Sequence, residues 1–291
     1  MTFYTQVLQL VLAGITTGSI YSLIALGFVT IYSVTGIINF AQGEFAMLGA
    51  LITISLYGMD LPIVFAVLPS VLGVTAVGAL IQRFAIRPVR HASVITLIII
   101  TIGADIALRG MALILWGTDP YILPAFSPGG PIAIFGAVIN RQSLWVLGIT
   151  AAILVALFLF FEYTLVGKAV RACAINARAA RLMGIDTNRM ACLSFSLAAA
   201  LGAISGIVIA PITLPTYDMG LILGLKGFVA AAMGGLVNSP GAVIGGLLLG
   251  VLESLGAGLI SSGYKDAIAF IILIGILLAR SEGILRALEG K

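Results

Sequence analysis

E-Y-T-L-V-G-K-A-V-R-A-C-A-I-N-A-R-A-A-R-L-M-G-I-D-T-N-R, residues 162 to 189, is a hydrophilic island between two apolar runs of membrane-spanning length. It holds five of the fifteen Lys and Arg residues of the chain: Lys168, Arg171, Arg178, Arg181 and Arg189. An island this basic, flanked by apolar spans, is expected on the cytoplasmic side. From Lys168 to Met183 it can form a helix of about four turns. On such a helix Lys168, Arg171, Arg178 and Arg181 fall within an arc of roughly 140°. The rest of the segment is rich in alanine. Gly184 stands where a glycine ends a helix, and Asp186 where the next helix needs an N-cap. A short helix with a basic face and a small-residue face has the character of a docking element. An ordinary positive-inside loop would carry the same charge.

Composition supports the flanking spans. Of 291 residues, 61% are hydrophobic and 9% are charged, against about 25% charged in a soluble domain. Mean hydropathy is +1.20. The chain is therefore expected to be a polytopic membrane protein of one domain, residues 1–291, with no room for a soluble domain. Net charge is +4, and the basic residues sit at loop ends, so nucleic acid is not an expected partner. Two cysteines, Cys173 and Cys192, and one histidine, His91, make no metal cluster of the usual kinds. His91 reads as a loop-end residue. Glycine precedes lysine only at Gly167-Lys168 and Gly290-Lys291, so the chain carries no phosphate-binding G-x-x-x-x-G-K-[S/T] loop. Neither a cofactor nor a metal is expected in this chain.

Working outward, the apolar runs fall at Val7–Ile31, Phe45–Tyr57, Ile63–Ile86, Ala92–Gly117, Leu144–Tyr163, Met190–Ala210, Gly220–Val237, Ala242–Ser261 and Asp266–Ala279. The expected fold is all-α: a helical bundle of about eight or nine spans. Met1–Gln6 has no basic residue, so the first run reads as a retained span and not a cleaved signal. Its Gly14, Gly18 and Gly27 suit close helix packing inside the bundle. Asp105 and Arg109 are spaced i, i+4 and are expected as a pair facing the bundle. Thr118–Arg141, with four prolines and one basic residue, reads as an ordered external loop. Arg83, Arg87 and Arg90, the island, and the tail Arg280–Lys291 are expected inside.

Two runs are interrupted. Tyr32–Glu44, Y-S-V-T-G-I-I-N-F-A-Q-G-E, breaks the first pair, and Asn238-Ser239-Pro240-Gly241 breaks a later one. Irregular backbone at membrane depth is tolerated only inside protein or against a water-filled path. Gly27-Phe28-Val29 is followed by Gly36-Ile37-Ile38-Asn39, and Gly227-Phe228-Val229 by Gly235-Leu236-Val237-Asn238. The correspondence suggests a transporter built from internal repeats, inverted or parallel, with its route between them. Asn39, Gln42, Glu44 and Asn238 are the candidate residues of that translocation pathway. Glu44 reads first as an acid at a helix N-terminus, beside positive dipole ends, and only second as a substrate contact.

Four stretches together resemble the permease subunits of branched-chain amino acid ABC importers. They are G-I-I-N-F-A-Q-G-E at 36–44, continuing through Met47-Leu48-Gly49-Ala50; Arg87-Pro88-Val89-Arg90 with L-I-I-I-T-I-G at 97–103; Gly167–Asp186; and Gly227–Glu253, with G-F-V-A-A-A-M-G-G and P-G-A-V-I-G-G-L-L-L-G-V-L-E. They stand in family order along nearly the whole chain. Gln42 occupies a position where many members have histidine, which puts a proton role there in doubt. The resemblance implies a non-enzymatic permease in a bacterial inner membrane, working with a second homologous permease as a heterodimer. It also implies two ATPase subunits docked on the cytoplasmic face and a substrate-binding protein outside. The 163–189 segment becomes the coupling loop, with Gly167, Arg171, Arg178, Ala179, Ala180 and Gly184 as its contact residues. Related permeases carry urea and other short amides, which is the alternative substrate class. An ion-coupled secondary transporter is the alternative class of machine, with Glu44, Asp105 and Glu253 as its candidate coupling residues.

Overall fold

The computed structural model describes residues 3–89, 92–134 and 137–279. Ten helices follow one another there: α1 (Phe3–Thr35), α2 (Gln42–Tyr57), α3 (Ile63–Leu80), α4 (Val94–Trp116), α5 (Arg141–Tyr163), α6 (Leu165–Leu182), α7 (Thr187–Ile209), α8 (Met219–Gly234), α9 (Ser239–Leu259) and α10 (Lys265–Ala279). The chain leaves α3 through a π-helical segment, Ile81–Ile86, and a 3-10 turn, Arg87–Val89. The external loop contains what the sequence did not announce: a two-stranded antiparallel hairpin, β1 (Ile132–Ile134) with β2 (Ala137–Ile139). The molecule is nearly all-helical.

Six of these segments are long and apolar enough to cross a membrane: α1, α3 with its π-helical extension, α4, α5, α7 and α9. The eight or nine full spans expected from hydropathy are met only in part. α2 and α8 have 16 residues each, so each is about 24 Å long, short of a ~30 Å hydrocarbon core, and α10 is described as far as Ala279.

The helices sort into a packed centre and a lipid-facing shell. Two-thirds of the apolar window of α1 and of α7 is buried, against 11% of that of α5. Isoleucine, leucine and phenylalanine on α3, α4 and α5 point outward, among them Phe65, Ile99, Ile114 and Phe158. In water such a surface would aggregate; here it is the face presented to lipid. At the centre, α1 and α9 approach through glycine. A Cβ on Gly14 would lie 2.6 Å from the Val251 Cα, and one on Gly18 would lie 2.8 Å from the Gly246 carbonyl oxygen. Gly49 of α2 meets Ala203 of α7 in the same way. Backbone contact of this kind replaces the hydrophobic drive that lipid removes.

Depth and sidedness follow from contacts. Gln9, near the start of α1, donates to the Val138 carbonyl and accepts from the Val138 N–H, both at 2.6 Å. The start of α1 and the external hairpin therefore share one end of the bundle. At the other end, Ile31 and Ile37 pack with Ile86, Leu97 and Phe195, and the charge of Arg87 acts on Asp186. The Arg83/Arg87 corner and the α6–α7 turn thus lie together, opposite the hairpin, as the charge asymmetry requires. The expectations for Arg90, His91 and the tail from Arg280 to Lys291 fall outside the described residues.

Candidate functional site

The first interruption is real. α1 ends at Thr35, Gly36 turns the chain at φ +69°, and α2 begins at Gln42. The Phe40 N–H donates to the Thr101 hydroxyl at 3.3 Å, and that hydroxyl reaches the Ile38 carbonyl at 3.2 Å. α4 therefore supplies hydrogen bonds that the broken helix lacks. Gln42 Nε2 donates to the Ala198 carbonyl at 2.9 Å. Ala198 is the middle residue of α7, a full span, so the first turn of α2 lies near mid-depth. Gly27 and Gly202 make room for that amide, and a Cβ on Gly27 would meet the Gln42 side chain.

The same stretch concentrates unsatisfied polarity. Among the described residues, seven buried side-chain N and O atoms have no hydrogen-bond partner, and five belong to Asn39, Gln42 and Glu44. The other two are on Thr150 and Ser194. Asn39 is fully buried with both polar atoms of its amide unpaired. Buried polar groups are normally satisfied, so such a cluster demands an explanation. Glu44 is also fully buried, on the first turn of α2. It faces the first turn of α8, where a Cβ on Gly220 would stand 2.7 Å from its carboxylate. Gly43 of α2 lies against Gly220 and Gly224, so the two short helices run past each other at their N-terminal ends. Asp105 of α4 adjoins the Glu44 carboxylate, with Arg109 and Asp218 acting on it. Asp105 and Arg109 form the expected i, i+4 pair at 3.3 Å.

The second interruption is built like the first but ends differently. Gly235 turns the chain at φ +93° after α8, as Gly36 does after α1, and asparagine follows three residues later in both. Phe28 and Phe228 pack edge to face, 5.8 Å between centroids, and Phe40 lies 6.0 Å from Phe228. The breaks are linked by this aromatic contact. Yet Asn238 is exposed and caps α9, its Oδ1 accepting from the Gly241 N–H at 3.2 Å. Asn39 has no such task.

A buried ionic network, not legible as a unit in the sequence, ties α1, α8, α9 and α10. Lys226 Nζ lies 2.8 Å from Glu253 Oε1 and 2.7 Å from Asp266 Oδ1. Tyr21 donates to Glu253 Oε2 at 3.0 Å, and Lys265 stands 3.5 Å from Glu253. Glu253, a candidate ion-coupling residue from sequence, is thus neutralised within the chain. Lys226 and Glu253 are 27 positions apart on different helices, so no spacing rule joins them.

The cytoplasmic island forms α6, with one departure from expectation. The helix is not continuous: Asn176 adopts φ −155°, ψ 98°, and its Oδ1 accepts from the N–H groups of Arg178 and Ala179 at 3.0 Å. The side chain ends one helical segment and caps the next, so the four basic residues do not share one unbroken face. The end is as expected. Gly184 has φ +83°, its N–H donates to the Arg181 carbonyl, and the Ile185 N–H donates to that of Ala180, a Schellman closure. Asp186 accepts from Asn188 and Arg189 N–H groups at 2.9 and 3.3 Å. Those bonds hold its carboxyl below the usual carboxylate range. Burial pushes the Cys173 thiol up, so it is a poor nucleophile at neutral pH.

The six candidate coupling residues divide by exposure. Arg171, Arg178, Ala179 and Gly184 are exposed; Gly167 and Ala180 are buried. Gly167 lets α6 close onto Phe160 and Phe161 of α5, a packing role within the chain. Arg171 is tied to Glu162 at 2.8 Å. Sequence reading missed the exposed apolar side chains beside them: Ile175 (86%), Leu182 (89%) and Met183 (82%). They lie at the end shared by Arg87 and Asp186, on a helix of low hydropathy, and form an unpartnered apolar rim.

These features define a multi-pass membrane permease: a helical bundle with two short helices packed at its centre and an amphipathic helix at one end. The family model described as "Branched-chain amino acid transport system / permease component" matches residues 10–277, and the chain belongs to that family. It is 35% identical over 292 residues to the high-affinity branched-chain amino acid transport system permease protein BraD of Pseudomonas aeruginosa, covering 96% of this chain and 95% of that one. It is 35% identical to LivH of Salmonella typhimurium, with the same coverage. A probable branched-chain amino acid transport permease protein LivH of Methanocaldococcus jannaschii is 30% identical, over 90% of this chain and 87% of that one.

Proposed function

We propose that this chain is the membrane permease of an ATP-driven importer that moves branched-chain or other small hydrophobic amino acids across a bacterial inner membrane. In that reading it pairs with a second, homologous permease. Two ATPase subunits dock at α6, a binding protein delivers substrate outside, and the C-terminus is cytoplasmic. The observation that carries the reading is the mid-depth break at Asn39–Glu44, where most of the unpaired buried polar atoms of the described chain collect, in a member of a transport family. Unsatisfied amides beside a fully packed α1–α9 pair suit a route that must briefly bind a polar head group and an aliphatic side chain. The exposed Ile175, Leu182 and Met183 with Arg178 support docking of a soluble partner at α6.

The test is reconstitution with the neighbouring subunits and measurement of ATP-dependent leucine uptake. Asn39→Leu is the informative variant. Asn39 makes no side-chain hydrogen bond to lose, so its replacement should leave folding and ATPase co-purification intact. Uptake should fall by about tenfold, the equivalent of ~1.4 kcal/mol on a route barrier. Normal uptake by Asn39→Leu would move the route away from the break.

A further inference from the structure

The charges around Glu44 do not balance. From α2 the one acidic or basic side chain is Glu44 itself; α4 contributes Asp105 and Arg109; α8 contributes Asp218 at its N-terminus. Arg109 is committed to Asp105 at 3.3 Å. Lys226, further along α8, is held by Glu253 and Asp266. One guanidinium therefore serves two adjoining buried carboxyl groups, and apart from Asp105, whose carboxyl comes within hydrogen-bond reach, Glu44 has no donor among the described residues. Two helix N-termini, those of α2 and α8, meet at this carboxylate and relieve part of its charge. Partial charges of that kind do not replace a cation in a medium of low dielectric.

We propose that Glu44, backed by Asp105, is the group that receives the ammonium of the amino acid substrate at mid-depth. The proposal rests on the function inferred above. An ammonium carries one charge and three donors, matching the adjoining Glu44 and Asp105 carboxyl groups, which have Arg109 as their one nearby cation among the described residues. The surroundings suit the rest of such a substrate. One turn from Glu44 on α2 is Leu48, and one and two turns from Asp105 on α4 are Leu108 and Ala112; these three pack in one apolar cluster with Met219 at its edge. The aliphatic side chain of a hydrophobic amino acid belongs against such a wall. A divalent metal fits less well, since no group of three or more metal-ligating side chains occurs among the described residues. The approach is marked too. Asp218, exposed at the head of α8, acts on the buried Glu44, so acidic side chains lead from the surface beside the external loop to the carboxylate. Gly220 packs on the Glu44 carboxylate and Gly224 on Gly43.

The experiment uses the assembled complex in proteoliposomes with its binding protein and ATP. Glu44→Gln keeps the shape and removes the charge; it should assemble with the ATPases yet lose at least tenfold in leucine uptake. Glu44→Asp, which keeps the charge, should recover part of it. A single cysteine replacing Leu48, one turn from the intact Glu44, in a background free of Cys173 and Cys192, reads the site directly. Its reaction with a small cationic thiol reagent should be slowed by leucine and by leucinamide, which carry the ammonium. The keto acid 4-methyl-2-oxopentanoate, which lacks it, should not protect. Wild-type uptake by Glu44→Gln, or equal protection by the keto acid, overturns the assignment while leaving the importer intact. A sodium requirement that Glu44→Gln abolishes assigns the carboxylate to a metal cation and also overturns it. Failure of the wild-type complex to take up any hydrophobic amino acid overturns the functional reading beneath it.

Discussion

Lys226 shows at the scale of a residue how the interior is set. Its ammonium is 4% exposed and lies between Glu253 and Asp266, 5.7 Å from the Tyr21 ring centroid. Each charge alone would be costly at this depth; together they form a satisfied network joining four helices. Removing Lys226 leaves the buried Glu253 with only the half-exposed Lys265, 3.5 Å away, and the Tyr21 hydroxyl; breaking a buried pair costs about 3–5 kcal/mol. Lys226→Met is therefore expected to lower the melting temperature of the detergent-solubilised protein sharply. Lys226→Met with Glu253→Gln should recover much of the loss, as a double-mutant cycle on thermal unfolding would read. Additivity of the two losses would mean that the pair is not coupled. Neither residue was hard to notice in the sequence, since a charge in an apolar run is conspicuous. What the sequence lacked was the pairing, because residues 27 apart meet only through the packing of α8 on α9.

At the scale of the element, α6 is a helix whose ends were legible and whose middle was not. Glycine at 184 and aspartate at 186 are local signals: the first adopts φ +83° and the second caps α7. The break at Asn176 came from the competition between helix and a side-chain cap, which alanine-rich neighbours concealed. Gly184 has open space around it, so a substitution there acts through backbone conformation alone. Gly184→Leu should cost about 1–2 kcal/mol in local closure, leave the chain inserted, and weaken ATPase co-purification and uptake. Gly184→Asn, which tolerates that conformation better, should lose less. Equal behaviour of the two variants would show that the conformation of the turn does not matter to docking.

At the scale of the whole molecule, the distribution of Lys and Arg sets a testable orientation. Arg87 and the α6–α7 turn share one end, the hairpin and the start of α1 the other. Single cysteines at positions 127 and 177, in a background free of Cys173 and Cys192, should react with an impermeant maleimide from opposite sides. Position 127 should label in intact cells and position 177 only after the membrane is opened. Labelling of both from outside would reject the arrangement.

The sequence by itself determined that the chain is a multi-pass helical membrane protein, where its basic end lies, and where its two helices break. Those are properties of composition, charge asymmetry and glycine, all local along the chain. Only the tertiary structure set the length and setting of the helices in those runs. α2 and α8 look like spans by hydropathy, yet each has 16 residues and is lodged against α7 or α1, where buried protein can satisfy loose helix ends. The tertiary structure also separated two asparagines that the sequence had made equivalent: Asn238 caps a helix at the surface, and Asn39 is buried without a partner. It alone brought Glu44 to Asp105, 61 residues apart in the chain, through the crossing of α2 and α4. Periodicity can place a residue on a face of its own helix, but which other helix that face meets is settled by the packing of all of them together.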